Sequence, residues 1–144
     1  MLSDREAILN LLAKYCFVTD RGTADELAAL FWEDCTVNFG GNLHEGRNAA
    51  REGFARWIAK MRAPVEGLRH ILHTPLIDVN GDAATSEAYY DADCHARTSG
   101  RAIRLRGLYR TAFARRAGEW RILQHEVQIW KPIPARDTRE AKPA

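Results

Sequence analysis

The sequence is poor in cysteine, in uninterrupted apolar runs and in net charge. Its three cysteines, Cys16, Cys35 and Cys94, are an odd and scattered set with no CxxC pair. That argues against a disulfide framework and a structural zinc site, and it points to a reducing cytoplasm. No stretch approaches the ~18 apolar residues of a membrane span. The opening MLSDREAILN is acidic and amphipathic, without the apolar centre of a secretion signal. A formal charge of +2 over 144 residues is too small to argue for nucleic acid or a membrane surface. The C-terminal-half arginines alternate along predicted strands, as on a solvated sheet face. HExxH, GxGxxG, the P-loop pattern and GxSxG are all missing. No compact metal-ligand spacing is present. What these absences leave is acid–base chemistry with no cofactor and no metal.

The chain length suits one domain with a real core. Ser3 with Glu6 forms a capping-box signature, and Ile8, Leu11, Leu12 and Tyr15 recur at helical spacing. This helix is expected to end near Asp20-Arg21-Gly22, the glycine taking a left-handed cap. Thr23 and Glu26 repeat the capping box, and Leu27, Leu30 and Phe31 form a short apolar face. Cys35 to Phe39 reads as a short strand closed by Gly40-Gly41, with His44 in a solvated loop. A third helix begins near Arg47, with Ala50, Phe54, Trp57, Ile58 and Met61 as its stripe and Ala63-Pro64 at its end. Four strands follow over 67–79, 83–97, 101–114 and 119–131, with Pro75 marking a bulge in the first. Three helices before a curved antiparallel meander define an α+β cone enclosing an apolar pocket, spanning 1–132. Residues 133–144, rich in proline and charge, are expected to form a flexible tail.

The stretch Arg69 to His95 organises this plan. Asn80-Gly81 between alternating runs is a hairpin signal. A hairpin pairs its far ends, so His70 and His95 are expected to approach each other. His73 has odd spacing from His70 and falls on the opposite face. Asp20, where the chain leaves the first helix, has two readings: a loop carboxylate bonded to nearby amides, or a carboxylate aimed into the mouth of the cone. His125 lies on the last strand, as a packed or surface residue.

The segments ILNLLAKYCFVTDRG, LAALFWEDCTVNFGG, EGRNAA, LRHILHTPLIDVNGDAA and RGLYRTAFARRAGEWRI resemble, in order and spacing, the SnoaL-like branch of the nuclear-transport-factor-2-like superfamily. That branch includes polyketide cyclases, scytalone dehydratase and hexachlorocyclohexane dehydrochlorinase. The resemblance implies that Asp20 pairs with His70 as a general base. It implies that His95 and Tyr15 supply further catalytic polar groups. A family tyrosine on the short strand is replaced here by Phe39, and a family serine and asparagine fall around Gly107 and Tyr109. These departures argue against scytalone itself as substrate.

The resulting expectation is a lyase or isomerase acting on a cyclic or aromatic apolar molecule. Phe31, Trp32, Phe39, Tyr90, Tyr109 and Trp130 are the candidate walls of its pocket. The alternative is a non-catalytic ligand-binding module or the structural subunit of a ring-hydroxylating dioxygenase. The resemblance also implies a homodimer or homotrimer, associating through the convex face of the sheet.

Overall fold

A computed structural model of the chain describes residues 1–130. Helix α1 (Asp4–Arg21) starts with the expected capping box: the Glu6 amide donates to Ser3 Oγ and the Ser3 amide to Glu6 Oε2. Its buried face is Ile8, Leu12, Tyr15, Cys16 and Thr19, at helical spacing. The C-terminal end departs from expectation. Gly22 has φ −88° and ψ −174°, an extended rather than left-handed conformation. A glycine serves there for close approach, since a Cβ would stand 2.7 Å from both Val18 Cγ1 and Glu26 Oε2.

The second capping box, Thr23 with Glu26, opens the short helix α2 (Ala24–Ala28). Phe31 does not extend that helix. It starts strand β1 (Phe31–Phe39), which is longer than the expected strand and places Phe31, Cys35 and Val37 in the core. Gly40 and Gly41, at φ 57° and 94°, turn the chain into strand β2 (Asn42–Glu45). His44 is therefore not in a solvated loop. It pairs with Val37 in the β1–β2 ladder and is half-buried. Helix α3 (Arg47–Trp57) follows, continued by a π-helical turn at Ile58–Arg62. Met61, expected in its stripe, is exposed.

The run expected over 67–79 is two strands, β3 (Val65–Leu72) and β4 (Leu76–Asn80). Pro75 has no N–H for a ladder, so the strand breaks beside it, and His73, Thr74 and Pro75 lie opposite only Ala88 and Tyr89 of the partner strand, which is the expected bulge. Both pieces pair antiparallel with β5 (Ala83–Ala96). Asn80 pairs with Ala83, so the tight turn is Gly81-Asp82, one residue later than the Asn-Gly reading. Strands β6 (Ala102–Arg116) and β7 (Glu119–Trp130) complete the meander. The sheet order is β2-β1-β7-β6-β5-β3, with β4 also on β5. Only β1 with β7 is parallel among these pairings. The curled, unclosed sheet and its three helices form the expected α+β cone. The tail expected at 133–144 lies outside the described residues.

Candidate active site

Strand β3 alternates, with Leu68, His70 and Leu72 half-buried and Arg69 and Ile71 exposed. This parity aims His70 inward, at the end of α1. His70 Nδ1 lies 2.5 Å from Asp20 Oδ1, and the His70 backbone N–H donates to Asp20 Oδ2 at 3.0 Å. One carboxylate thus holds both the imidazole and the strand that carries it. The two side chains are only 9% and 10% exposed. An Nδ1–H donated to Asp20 leaves Nε2 as the free, basic nitrogen. Arg62 donates to the Thr19 carbonyl at 3.1 Å and tethers the same helix end.

Aromatic rings flank the pair. The Trp57 ring is 6.4 Å from that of His70, and the Tyr90 ring 6.0 Å. Phe39 lies 6.3 Å beyond Trp57, while Tyr109 stacks on Tyr90 at 4.2 Å. The stack depends on Gly107, where a Cβ would stand 1.8 Å from the Gln128 carbonyl oxygen and 2.8 Å from Tyr90 Cε1. Burial pushes the Tyr90 phenol up to about 12 and the Tyr109 phenol well above its ordinary value. Both are therefore hydrogen-bond donors at neutral pH and not bases. Burial, with the Asp20 charge adding to it, raises the Cys16 thiol to about 12, so it is no nucleophile. A cleft of about 430 Å³ reaches His70 between α1 and the β3–β4 turn. No group of three or more His, Cys, Asp or Glu side chains among the described residues is placed to hold a metal.

A profile of the SnoaL-like domain matches residues 1–125. The chain belongs to the SnoaL-like family. No curated protein matches it. Solved structures add the fold. A nuclear-transport-factor-2-like protein with a cystatin-like fold, from Novosphingobium aromaticivorans, is 27% identical with a TM-score of 0.77, covering 92% of this chain and 85% of that one. A candidate scytalone dehydratase from the same organism is 25% identical at TM-score 0.77, covering 89% and 85%. A candidate aromatic ring hydroxylase, also from that organism, is 24% identical at TM-score 0.74, covering 90% of each chain.

Within this SnoaL-like cone, several expected site residues lie elsewhere. His95 pairs with Glu66 and is exposed, whereas His70 pairs with the buried Ala92. The three-residue offset between His95 and Ala92 puts the two histidines on opposite faces, so the hairpin does not unite them. Tyr15 is 1% exposed and lies edge-on to Phe31, Tyr109 and His125, one ring deeper than Tyr90. Phe31 is fully buried core. Trp32 faces away from Phe31, donates to the Ala114 carbonyl at 2.8 Å, and lies under the Arg116 and Arg121 guanidinium groups. Trp130 is on the outer face against Tyr89. Phe39 and Tyr90 do flank the pair. His73 faces outward, as its parity requires, and meets Asp91 at 2.6 Å. In the sequence Trp57 shows only as part of a helix stripe; its position as the last inward residue of α3, one turn after Phe54, is the signal that places it here.

Proposed function

We propose that this SnoaL-like chain is a cofactor-independent lyase or isomerase acting on a cyclic or aromatic, largely apolar small molecule. His70 Nε2 removes a proton from carbon. Asp20 keeps the ring in the tautomer with Nδ1–H and stabilises the imidazolium that forms. The observation that carries this reading is the two-point hold of Asp20 on His70, which orients the base before any ligand arrives. A positioned base of this kind supplies ~10²–10⁴-fold in rate. The Tyr90 hydroxyl is the donor we assign to the developing oxyanion or leaving group. Likeness to a candidate scytalone dehydratase supports an elimination.

The test is a panel of cyclic ketones and alcohols, screened for elimination and isomerisation. His70→Ala and Asp20→Asn are expected to reduce turnover by at least about 100-fold with an unchanged far-ultraviolet circular dichroism spectrum. Asparagine can still accept from the His70 amide, but its NH₂ would then donate to Nδ1 and force the proton onto Nε2. The geometry survives and the base is lost. A fully active His70→Ala enzyme removes the proposal.

One observation favours a second reading, a ligand-binding module or structural subunit of a ring-hydroxylating dioxygenase. The base of the cone is filled by Tyr15, Phe31, Phe113 and His125, all buried. Co-purification with a larger iron-containing subunit would decide for it. Under either reading we propose a homodimer or homotrimer built on the outer sheet face, where Tyr89, Leu105 and Trp130 are exposed. No helix of the described residues is long and apolar enough to cross a membrane. The free, buried cysteines suit a cytoplasmic location.

A further inference from the structure

A second cleft, between the β1–β2 hairpin and α3, is larger than the one beside His70: about 710 Å³ against about 430 Å³. Phe39 and Trp57 form its apolar wall, and Trp57 is the same ring that flanks His70. Asn42, His44 and Arg56 line it as well, and among the described residues no carboxylate does. Glu45 and Glu52, the acidic residues nearest these in sequence, are not part of its lining.

The polar side of this cleft is built at a cost in helix propensity. Gly53 occupies the interior of α3, where glycine is a poorer helix former than alanine. His44 accounts for it. A Cβ at position 53 would stand 2.8 Å from His44 Cε1, 3.0 Å from Nε2 and 3.2 Å from Nδ1. The helix omits a side chain so that the imidazole can lie against its backbone. Arg56 follows Gly53 by three residues and is therefore presented on the same side of α3. It makes no ion pair among the described residues, where eight of the other fourteen arginines do.

We infer that this cleft binds an aromatic or cyclic carboxylic acid, its ring against Trp57 and Phe39 and its carboxylate between Arg56 and His44. The flat guanidinium fork matches a carboxylate in two parallel hydrogen bonds. The aromatic wall takes the ring, and the absence of acidic lining leaves the cation uncompensated until the anion arrives. Binding of such an acid in this cleft does not rest on the proposed function, since His70 lines the other cleft.

The experiment is calorimetric titration of the full chain with 2-naphthoate and with its neutral isostere 2-naphthamide. The wild type is expected to bind the carboxylate at least about tenfold more tightly than the amide. Arg56→Gln removes that preference and leaves amide affinity unchanged. Gly53→Ala displaces His44 and weakens the preference, while circular dichroism stays that of a folded protein. Absent or equal binding of the two probes by the wild type overturns the inference. So does a preference retained in both variants. His70→Ala separates the two proposals. If it loses turnover while the wild type shows no carboxylate preference, the base stands and the cleft falls. If it keeps full turnover while the preference is present, the cleft stands and the base falls.

Discussion

Replacing His125 tests how dry the base of the cone is. The imidazole is 2% exposed among Tyr15, Phe31 and Tyr109, with Nδ1 3.0 Å from Thr111 Oγ1 and no partner at Nε2 among the described residues. Burial pushes its pKa down to about 3 from 6.5. In the unfolded chain it titrates near its ordinary value. Between those two values the unfolded state carries a proton that the folded state does not. Stability therefore rises with pH through this window and is lost on acidification. At 1.36 kcal/mol per unit below the unfolded pKa, acidifying from pH 7 to pH 5 costs about 2 kcal/mol. For a domain of this size that lowers the thermal midpoint by about 4–8 °C. The assay is thermal unfolding of the wild type and His125→Gln at pH 7, 6 and 5. Glutamine keeps a polar group at the site and does not titrate. The wild-type midpoint is expected to fall by that amount more than the variant's. Parallel pH profiles would mean that the folded protein accommodates the imidazolium, and the sealed-base argument would be wrong.

Three further outcomes follow from other parts of the fold. Gly107→Ala places a methyl on the Gln128 carbonyl, a backbone atom that cannot swing aside; a loss of at least about 3 kcal/mol in urea unfolding is expected. Ser3→Ala removes one half of the α1 capping box at a cost of about 1 kcal/mol, a midpoint drop of about 2–4 °C. Size-exclusion chromatography with light scattering is expected to give two or three copies per particle, and a clean monomer would contradict the proposed self-association.

The parts of this fold that announce themselves in the sequence are those governed by local rules. Both capping boxes involve residues three apart, and the structure has them in place. The start of α3 and the alternation of β5 through Ala84, Ser86, Ala88 and Tyr90 are equally local. The pairing of Asp20 with His70 was legible only through family resemblance, because 50 residues separate the two and neither has a local signature. The misplacements share a cause. Putting His95 beside His70 required a register, and the turn at Gly81-Asp82 with the extra residue beside Pro75 sets His70 opposite Ala92 instead. Phe31 and Trp32 are adjacent large aromatics, and alternation alone does not say which enters the core. The β1–β7 pairing joins strands more than 80 residues apart and leaves no local trace. Edge strand β2, only four residues long with one apolar side chain, has too few residues to show a period.

Close backbone approach is the other thing that patterning does not reveal, and here it shapes the site. Gly22 lets Glu26 and Val18 close around the end of α1, directly after the carboxylate that holds His70. Gly107 brings the β7 backbone and the Tyr90 ring together and so places the Tyr90–Tyr109 stack beside the imidazole. Gly53 does the same for His44 on the far side of Trp57. Each of these glycines has negative φ or an ordinary helical backbone, so none is needed for a turn. In a sequence they read as weak points of a helix or strand. In the structure each marks a place where a ring or a carboxylate must come closer than a Cβ allows. The three flank the proposed base from α1, β6 and α3, and alanine at any of them should disturb ligand handling in proportion to how little its neighbour can move. By that criterion Gly107, facing a carbonyl, is the least tolerant, and Gly53, facing a rotatable imidazole, is the most.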